Sequence, residues 1–291
     1  MSLVLIVADR AGDRQVAISR GLELASKMGW GAQVVGFSYE SLSAMGIKET
    51  SRREEIKKKL LAQRKIQLET EIAKYNRLGV RVAVTVVWHK AIHLWIEQQC
   101  VRKEYAAIVK TGRRTESFAY TSTDWHLLRD CTAPLIIAAE KKWRATKPIV
   151  AAVDLTNNSR VKARLNDLVV STARRYAEAM NCELYVVHAL YISPVLKELD
   201  LIDEFTHVKQ MKAELQPRLI HLANSHNIPM SHFRLKQGPV EKVITSEAAV
   251  LKAQLVVMGT VGRKGVKGRL IGNTAERVLS KLRTDVLALK P

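Results

Sequence analysis

Residues 149–154 read I-V-A-A-V-D, an apolar run of strand length that ends in an aspartate. Residues 3–9, L-V-L-I-V-A-D, have the same form. Short strands that are apolar throughout are typical of parallel sheets, because helices cover both faces of such sheets. Ligands of these sheets bind at the carboxyl ends of the strands, which is where Asp9 and Asp154 stand.

These two strands begin the two halves of an internal repeat. The aligned segments are 88–110 with 236–258, and 131–138 with 283–290. They predict two domains, 1–140 and 148–291, joined by the short charged segment E-K-K-W-R-A-T-K-P, whose proline stops any helix.

Strand and helix patterns alternate along the second half. The predicted strands are 148–153, 183–190, 231–236, 254–258 and 285–289, and the predicted helices are 160–180, 205–226, 239–251 and 273–282. Alternation at these lengths predicts an α/β fold in which helices pack on both faces of a parallel sheet.

The chain is strongly basic. Its 291 residues include 47 Lys and Arg against 28 Asp and Glu, which gives a net charge of +19. Such a balance attracts nucleic acids, anionic lipids and phosphorylated ligands without selecting among them. Because the sequence has no RNA-recognition pattern or zinc finger, we expect nucleic acid to bind only non-specifically and to be released by salt.

The sequence predicts a cytoplasmic protein. The apolar run at the N-terminus is too short for a signal peptide, and no run elsewhere approaches a membrane span, so no membrane partner is expected. The three cysteines, Cys100, Cys131 and Cys182, have no paired spacing, as is typical of a reducing compartment. Cys131 is interpreted as a small apolar residue rather than a reactive thiol.

A glycine-rich basic stretch, G-T-V-G-R-K-G-V-K-G-R-L-I-G-N-T, occupies residues 259–274 after the apolar run L-V-V-M. It does not match the Walker loop, G-x-x-x-x-G-K-[ST]. It also follows the fourth strand of its domain, whereas a dinucleotide fingerprint follows the first. Its glycines instead have the spacing G-x2-G-x9-G, beginning at Gly259.

In this motif with its flanking residues and in two other segments, the chain resembles tandem universal stress proteins, and most of all the universal stress protein E subfamily. The matching segments are V-V-M-G-T-V-G-R at 256–263, L-I-G-N-T-A-E-R-V at 270–278, V-D-L-T-N-N-S at 153–159 and T-S-T-D-W-H-L-L-R at 121–129. The resemblance implies two tandem Rossmann-like domains, each a five-stranded mostly parallel sheet with helices on both faces. It also implies an adenine nucleotide ligand, ATP or ADP, with or without Mg²⁺.

The same resemblance implies a nucleotide site in the second domain. Asp154 would contact the adenosine at the end of the first strand, and Ala189 and Met258 would line the adenine pocket. The phosphates would be approached by Gly259, Gly262, Gly272, Asn273 and Thr274, and the implied site also includes Val153, Leu155 and Arg263.

Elementary chemistry agrees with a phosphate site. Glycines let backbone amides approach a phosphate closely, successive amides form an anion-binding nest, and a helix N-terminus adds the positive end of its dipole. The family's ATP binders usually carry Ser or Thr where this chain has Asn273, which is also a good N-cap residue. The alternative, that the glycines only shape a tight loop with its lysines in water, stays open at this point.

The first half lacks the motif. Its equivalents of Met258, Gly259 and Gly272 are Lys110, Thr111 and Tyr120. A tyrosine would fill the space where backbone has to meet phosphate. Asp9 persists and is interpreted as a cap at the strand end, so we predict a degenerate nucleotide motif in the first domain.

The sequence shows no catalytic constellation. His89 and His93 are four residues apart but have no third ligand placed for a metal. Asp124 and His126 have no Ser or Cys nucleophile at a recognisable spacing. We therefore predict no catalytic residue, no metal site and at most slow ATP hydrolysis.

Two functions follow from the sequence. The first is a cytoplasmic stress-response protein that binds ATP or ADP in its second domain and responds to the nucleotide by binding partners. The alternative is a basic scaffold or nucleic-acid-associated protein with a vestigial nucleotide site. The resemblance further implies that the two domains pair as an internal pseudo-dimer and that two chains can associate into a homodimer.

Overall fold

The chain folds into two α/β units. The computed structural model describes residues 2–112, 122–139, 143, 146–156, 159–193, 195, 203–260 and 272–290. The described residues before 140 form one compact unit, and those from 143 onward form the second. Strands and helices alternate through both units, which confirms the predicted fold class.

The first unit contains a parallel sheet of five strands. Its elements are β1 (Leu3–Val7), α1 (Val16–Met28), β2 (Gly31–Ser38), α2 (Thr50–Tyr75), β3 (Val82–Trp88), α3 (Ile92–Arg102), β4 (Ala107–Thr111), α4 (Ser122–Asp130) and β5 (Leu135–Ala138). The strand order is β3-β2-β1-β4-β5, and all neighbouring strands are parallel. The first strand therefore lies at the centre of the sheet.

The second unit repeats this topology. Its elements are β6 (Ile149–Ala152), α5 (Arg160–Met180), β7 (Leu184–Leu190), α6 (Glu204–His226), β8 (Phe233–Gln237), α7 (Val240–Val250), β9 (Leu255–Gly259), α8 (Asn273–Lys281) and β10 (Asp285–Leu289). The order is β8-β7-β6-β9-β10, again with all pairs parallel. Every element predicted for this half is present, with small shifts at its ends.

Helix α5 follows the first strand of the second unit and covers its sheet. It begins at a serine N-cap, since the Ser159 hydroxyl accepts a hydrogen bond from the Lys162 N–H at 3.3 Å. It ends at Asn181 in the left-handed region, with φ of 51°. Between these ends its apolar stripe is buried, including Leu165, Val169, Ala173, Tyr176 and Met180.

Gly259, at the end of β9, makes room for this helix. A Cβ built on Gly259 would lie 2.4 Å from Cδ2 of Leu165, closer than non-bonded carbon atoms can approach. The Leu165 side chain therefore occupies the space that any larger residue at 259 would need. Close packing of α5 on β9 is a sufficient physical reason for this glycine, independent of any ligand.

We expect Gly259→Ala to lower the free energy of unfolding of the second unit by about 1–3 kcal/mol, because the added methyl overpacks the Leu165 contact. In the Gly259→Ala/Leu165→Ala double variant the methyl no longer clashes, so the double should cost less than the sum of the two single variants. Urea unfolding followed by circular dichroism measures these costs.

The matched control for this substitution is Gly31→Ala. Gly31 also lies in a parallel strand, and its added Cβ would meet Leu3 at 3.4 Å, where there is nearly enough room. Equal costs for the two glycine variants, or strict additivity of Gly259→Ala and Leu165→Ala, would contradict the packing explanation.

Candidate functional site

The sheet register brings the predicted adenosine contacts to one edge of the second sheet. Ala152, the last residue of β6, pairs with Val187 of β7 and with Met258 of β9. Asp154 lies two residues beyond that row, as does Ala189 on the neighbouring strand β7. The strand ends on both sides of β6 therefore meet around Asp154.

The apolar residues predicted for the site are buried at this edge. They are Val153, Leu155, Ala189 and Met258. The Asp154 side chain, in contrast, is 46% exposed. The edge thus presents one accessible carboxylate beside closely packed apolar side chains, an arrangement suited to a ligand with both hydroxyl groups and an apolar ring.

The Asp154 carboxylate is held by the loop and helix that follow it. Thr156 donates to Oδ1 through its hydroxyl at 2.7 Å and through its backbone N–H at 3.3 Å, and Nζ of Lys162 lies 3.3 Å from Oδ2. Burial raises the pKa of Asp154, but the hydrogen bonds from Thr156 and the charge of Lys162 outweigh it, so this pKa is lowered overall. The carboxylate is charged at neutral pH, and its oxygens can accept further hydrogen bonds.

Two side chains that the sequence analysis missed hold the backbone of this turn. Asn166 of α5 brackets Asp154: its Oδ1 accepts from the Asp154 N–H at 3.0 Å, and its Nδ2 donates to the Asp154 carbonyl at 2.7 Å. Arg218 of α6 donates to the carbonyl of Leu155. Asn166 could have been found from the sequence, because it lies inside the apolar stripe of a predicted helix and a buried amide needs a polar partner.

His188, on β7, fixes the same turn from the sheet. Its Nδ1 lies 3.1 Å from the carbonyl oxygen of Val153 and 3.4 Å from the nitrogen of Leu155. Burial lowers the pKa of His188 more than the hydrogen bond to Val153 raises it, so the ring is neutral at pH 7. Its Nε2 is buried and has no hydrogen-bond partner among the described residues.

The residues predicted at the phosphates are described only in part. Gly262 and Arg263 lie outside the described residues. Helix α8 begins at Asn273, so the N-cap position belongs to Gly272 and not to Asn273, and Thr274 is exposed in the first turn. The φ of −62° and ψ of 136° at Gly272 are open to any residue, so the backbone conformation does not itself require glycine there.

The first unit closes the corresponding edge with its own side chains. In the first sheet Val7, two residues before Asp9, pairs with Lys110. In the second sheet Ala152, two residues before Asp154, pairs with Met258. Lys110 therefore corresponds to Met258, and Thr111 to Gly259, as the sequence alignment predicts. Both Lys110 and Thr111 are buried.

A buried polar network replaces the accessible carboxylate. The Thr111 hydroxyl donates to Asp9 at 2.8 Å, and the same carboxylate accepts from the N–H of Ala17 in the first turn of α1 at 3.3 Å. Nζ of Lys110 lies 2.5 Å from the fully buried Asp124 carboxylate of α4 and donates to the Thr111 carbonyl at 3.0 Å. The Asp9 carboxylate therefore caps a helix, and the added lysine is neutralised internally.

Aromatic rings fill the first unit where the second has small side chains. By the sheet registers, Phe37 of β2 corresponds to Ala189 of β7. Phe37 packs edge-to-face on Trp95, with ring centroids 5.4 Å apart. Trp95 is the fourth residue of α3, and the fourth residue of α7 is Val243. The two large rings thus stand where the second unit has an alanine and a valine.

The first-unit equivalent of Gly272 differs by one residue from the sequence prediction. The observed pairs in the last strands are Thr111 with Ala138 and Gly259 with Leu289. The sequence alignment, which matches apolar residues, instead aligns Ala138 with Lys290. The corrected equivalent of Gly272 is Thr121 and not Tyr120, and both positions lie outside the described residues.

Three histidines considered in the sequence analysis, His89, His93 and His126, lie in the first unit and contact other groups there. The Nδ1 of His89 accepts from the N–H of Ala91 at 3.1 Å, and the ring of His93 stacks on that of His126 with centroids 4.2 Å apart. In the part of the chain that the structure describes, no three His, Cys, Asp or Glu side chains are grouped to hold a metal ion. No helix among those described is long and apolar enough to cross a membrane.

Comparison with known proteins gives consistent matches. Residues 145–290 match the universal stress protein family. The chain is 28% identical to universal stress protein E of Salmonella typhi over 99% of its own length and 94% of that protein.

Two solved structures share the fold. One is a Pseudomonas aeruginosa protein of unknown function, with a TM-score of 0.73 and 24% identity over 99% of this chain and 92% of that one. The other is a universal stress protein of Archaeoglobus fulgidus, with a TM-score of 0.65 and 16% identity over 99% of this chain and 98% of that one.

The Lys110–Asp124 pair supports a prediction for stability. We expect Lys110→Met, which introduces the residue found at the equivalent position of the second unit, to break the buried ion pair with Asp124. The free energy of unfolding of the first unit should fall by about 3–5 kcal/mol. Adding Asp124→Leu removes the other member of the pair and should restore part of this loss, as measured by urea unfolding.

Lys162→Met is the matched control, since it removes a lysine from the half-exposed Asp154 of the second unit. It should cost less than about 1 kcal/mol. The interpretation of Lys110 as an internally neutralised charge is wrong if the Lys110→Met/Asp124→Leu double variant is at least as destabilised as Lys110→Met alone.

Proposed function

The chain belongs to the universal stress protein family, and we propose that its second unit binds one adenine nucleotide, ATP or ADP, at the carboxyl edge of its sheet. In this proposal the protein acts by binding: the nucleotide sets the state in which the chain associates with its partners. The first unit, whose equivalent edge is filled by its own side chains, takes no nucleotide.

The contrast between the two edges carries the proposal. In the second unit an accessible carboxylate, Asp154, lies among small or apolar residues. In the first unit the equivalent Asp9 is buried and already hydrogen-bonded by Thr111 and Ala17. A ligand at the first edge would have to displace these bonds and the Phe37–Trp95 ring pair, whereas a ligand at the second would not.

The adenosine end of the nucleotide would lie against β6 and β7. The charged Asp154 carboxylate can accept hydrogen bonds from ribose hydroxyls, as acidic residues do in other nucleotide-binding α/β sheets. Ala189 and Met258 would provide the apolar neighbours of the adenine.

The phosphate end would lie toward the glycine-rich stretch and the start of α8. Gly262 and Gly272 would leave backbone amides accessible, Arg263 would add charge, and the amide of Asn273 and the hydroxyl of Thr274 would donate to phosphate oxygens. Gly259 also has a packing role against Leu165, so we assign the phosphate contacts mainly to the residues after it. Any Mg²⁺ would be bound through the phosphates.

We expect Asp154→Ala to raise the dissociation constant for ATP by about tenfold to a hundredfold, because hydrogen bonds to a charged group contribute roughly 1.5–3 kcal/mol. Binding of inorganic tripolyphosphate should change less than about twofold, since the carboxylate acts at the other end of the ligand. Isothermal titration calorimetry of the full chain measures both constants.

A second pair of variants exchanges the residues that fill the edge. Ala189→Phe introduces the first unit's residue and should abolish ATP binding, while Phe37→Ala, the reciprocal change, should leave the affinity and the stoichiometry unchanged. Unaltered ATP binding by Ala189→Phe would refute the assigned position. Complete absence of ATP binding by the wild-type chain would leave the basic scaffold as the remaining function.

A further inference from the structure

The first unit contains a pair of thiols in contact. Sγ of Cys100 lies 3.8 Å from Sγ of Cys131, although 30 residues separate them in the chain. Cys100 is in the last turns of α3, and Cys131 directly follows α4. Neither cysteine is in a disulfide in this structure. Because a disulfide requires sulfur atoms about 2.05 Å apart, the two need to approach by only about 1.8 Å.

The two thiols differ in access to solvent. Cys131 is 1% exposed, while Cys100 is only half-buried. The Cys131 thiol donates to the carbonyl of Ala133 at 3.7 Å, and its sulfur is in hydrogen-bonding contact with that of Cys100. An oxidant therefore reaches Cys100 first, with the second sulfur already in contact behind it.

We propose that Cys100 and Cys131 form a redox modification site, closing to an intrachain disulfide when the protein meets a peroxide. The proposal concerns the first unit only and does not depend on the nucleotide site. It assigns a reactive role to Cys131, which the sequence pattern alone presents as a small apolar residue. Sequence spacing could not reveal the pair, because the contact depends on how α3 packs against α4.

The reaction with hydrogen peroxide is balanced in two steps. The Cys100 thiolate attacks one peroxide oxygen, the O–O bond breaks, and the departing hydroxide takes up the proton released by the thiol, which gives a sulfenic acid and one water. The Cys131 sulfur then attacks the Cys100 sulfur, the S–O bond breaks, and the second hydroxide leaves as water with the Cys131 proton. Two thiols are oxidised and one peroxide is reduced.

The surroundings of Cys100 make its reaction with peroxide slow, because only a small fraction of this thiol is present as the reactive thiolate. Hydrogen bonding to Cys131, together with burial, raises the pKa of the Cys100 thiol, so this thiol is protonated at neutral pH. Once formed, the bond would tie the end of α3 to the end of α4. Helix α4 carries Asp124, the counter-charge of Lys110, so oxidation would fix the helix that closes the first unit's edge.

The remaining cysteine provides an internal control. Cys182 lies in the second unit, where its sulfur is 3.6 Å from Nε2 of Gln254 and burial raises the pKa of its thiol. It therefore has similar shielding but no partner thiol. Oxidation should consume Cys100 and Cys131 together and leave Cys182 as a thiol or as a minor overoxidised product.

The test treats the reduced full-length chain with hydrogen peroxide at pH 8, blocks remaining thiols in denaturant, and maps the peptides by mass spectrometry. We expect the wild type to fall from three thiols per chain to one and to yield a peptide linking Cys100 to Cys131 that dithiothreitol separates. Cys182→Ser should give the same linked peptide, and Cys100→Ser should slow oxidation of Cys131 by about tenfold or more.

The decisive measurement is the Cys100–Cys131 peptide in the wild-type chain, so the result does not depend on whether a variant folds. Thiol loss with no Cys100–Cys131 peptide, or disulfides that join Cys182 or two chains instead, would overturn the proposal. So would a linked peptide that forms equally in chain unfolded before oxidation, because the native contact would then contribute nothing.

Discussion

The aspartate that follows the first strand of each sheet has to find hydrogen-bond donors, and the two units meet this need differently. Asp9 takes its donors from Thr111 and from the first turn of α1, and is buried with them. Asp154 takes its donors from Thr156 and Lys162 and stays accessible. Because the parallel topology brings the neighbouring strand ends to the same edge, the burial of Asp9 and the exposure of Asp154 distinguish the two edges.

The edge of the first sheet keeps its aspartate, and the side chains added around it are matched by partners within the same unit. Burying the charge of Lys110 at the end of β4 would by itself destabilise the unit, and the buried Asp124 of α4 neutralises this charge. Phe37 and Trp95 add ring packing where the second unit has short side chains. In the open edge the polar groups instead hold the backbone: Asn166 brackets Asp154, and His188 fixes the turn through its Nδ1. The same fold thus supports one unit whose edge is filled by side chains and one unit whose edge presents a carboxylate held in place by hydrogen bonds.

Much of this arrangement could be predicted from the sequence. Apolar runs ending in Asp9 and Asp154 are sufficient for the parallel sheets, and the topology then requires Asp154, Ala189 and Met258 to meet. Side-chain partners were less predictable, because Lys110–Asp124 and Cys100–Cys131 join elements whose relative packing no local pattern records. The strand register was also not predictable. Matching apolar residues aligned Tyr120 with Gly272, whereas the observed strand pairs align Thr121 with it. The motif spacing was sufficient to single out Gly259, but the structure was required to show that this glycine makes room for Leu165.

The central claim, that only the second unit offers an open nucleotide site, is tested most directly by locating the nucleotide on the chain. The full-length protein is irradiated with 8-azido-ATP, with and without an excess of ATP, and the labelled peptides are mapped by mass spectrometry. The account predicts labelling confined to peptides within residues 148–291, near the ends of β6, β7 and β9, and suppressed by ATP. ATP-protected labelling of peptides within residues 1–140 would contradict it.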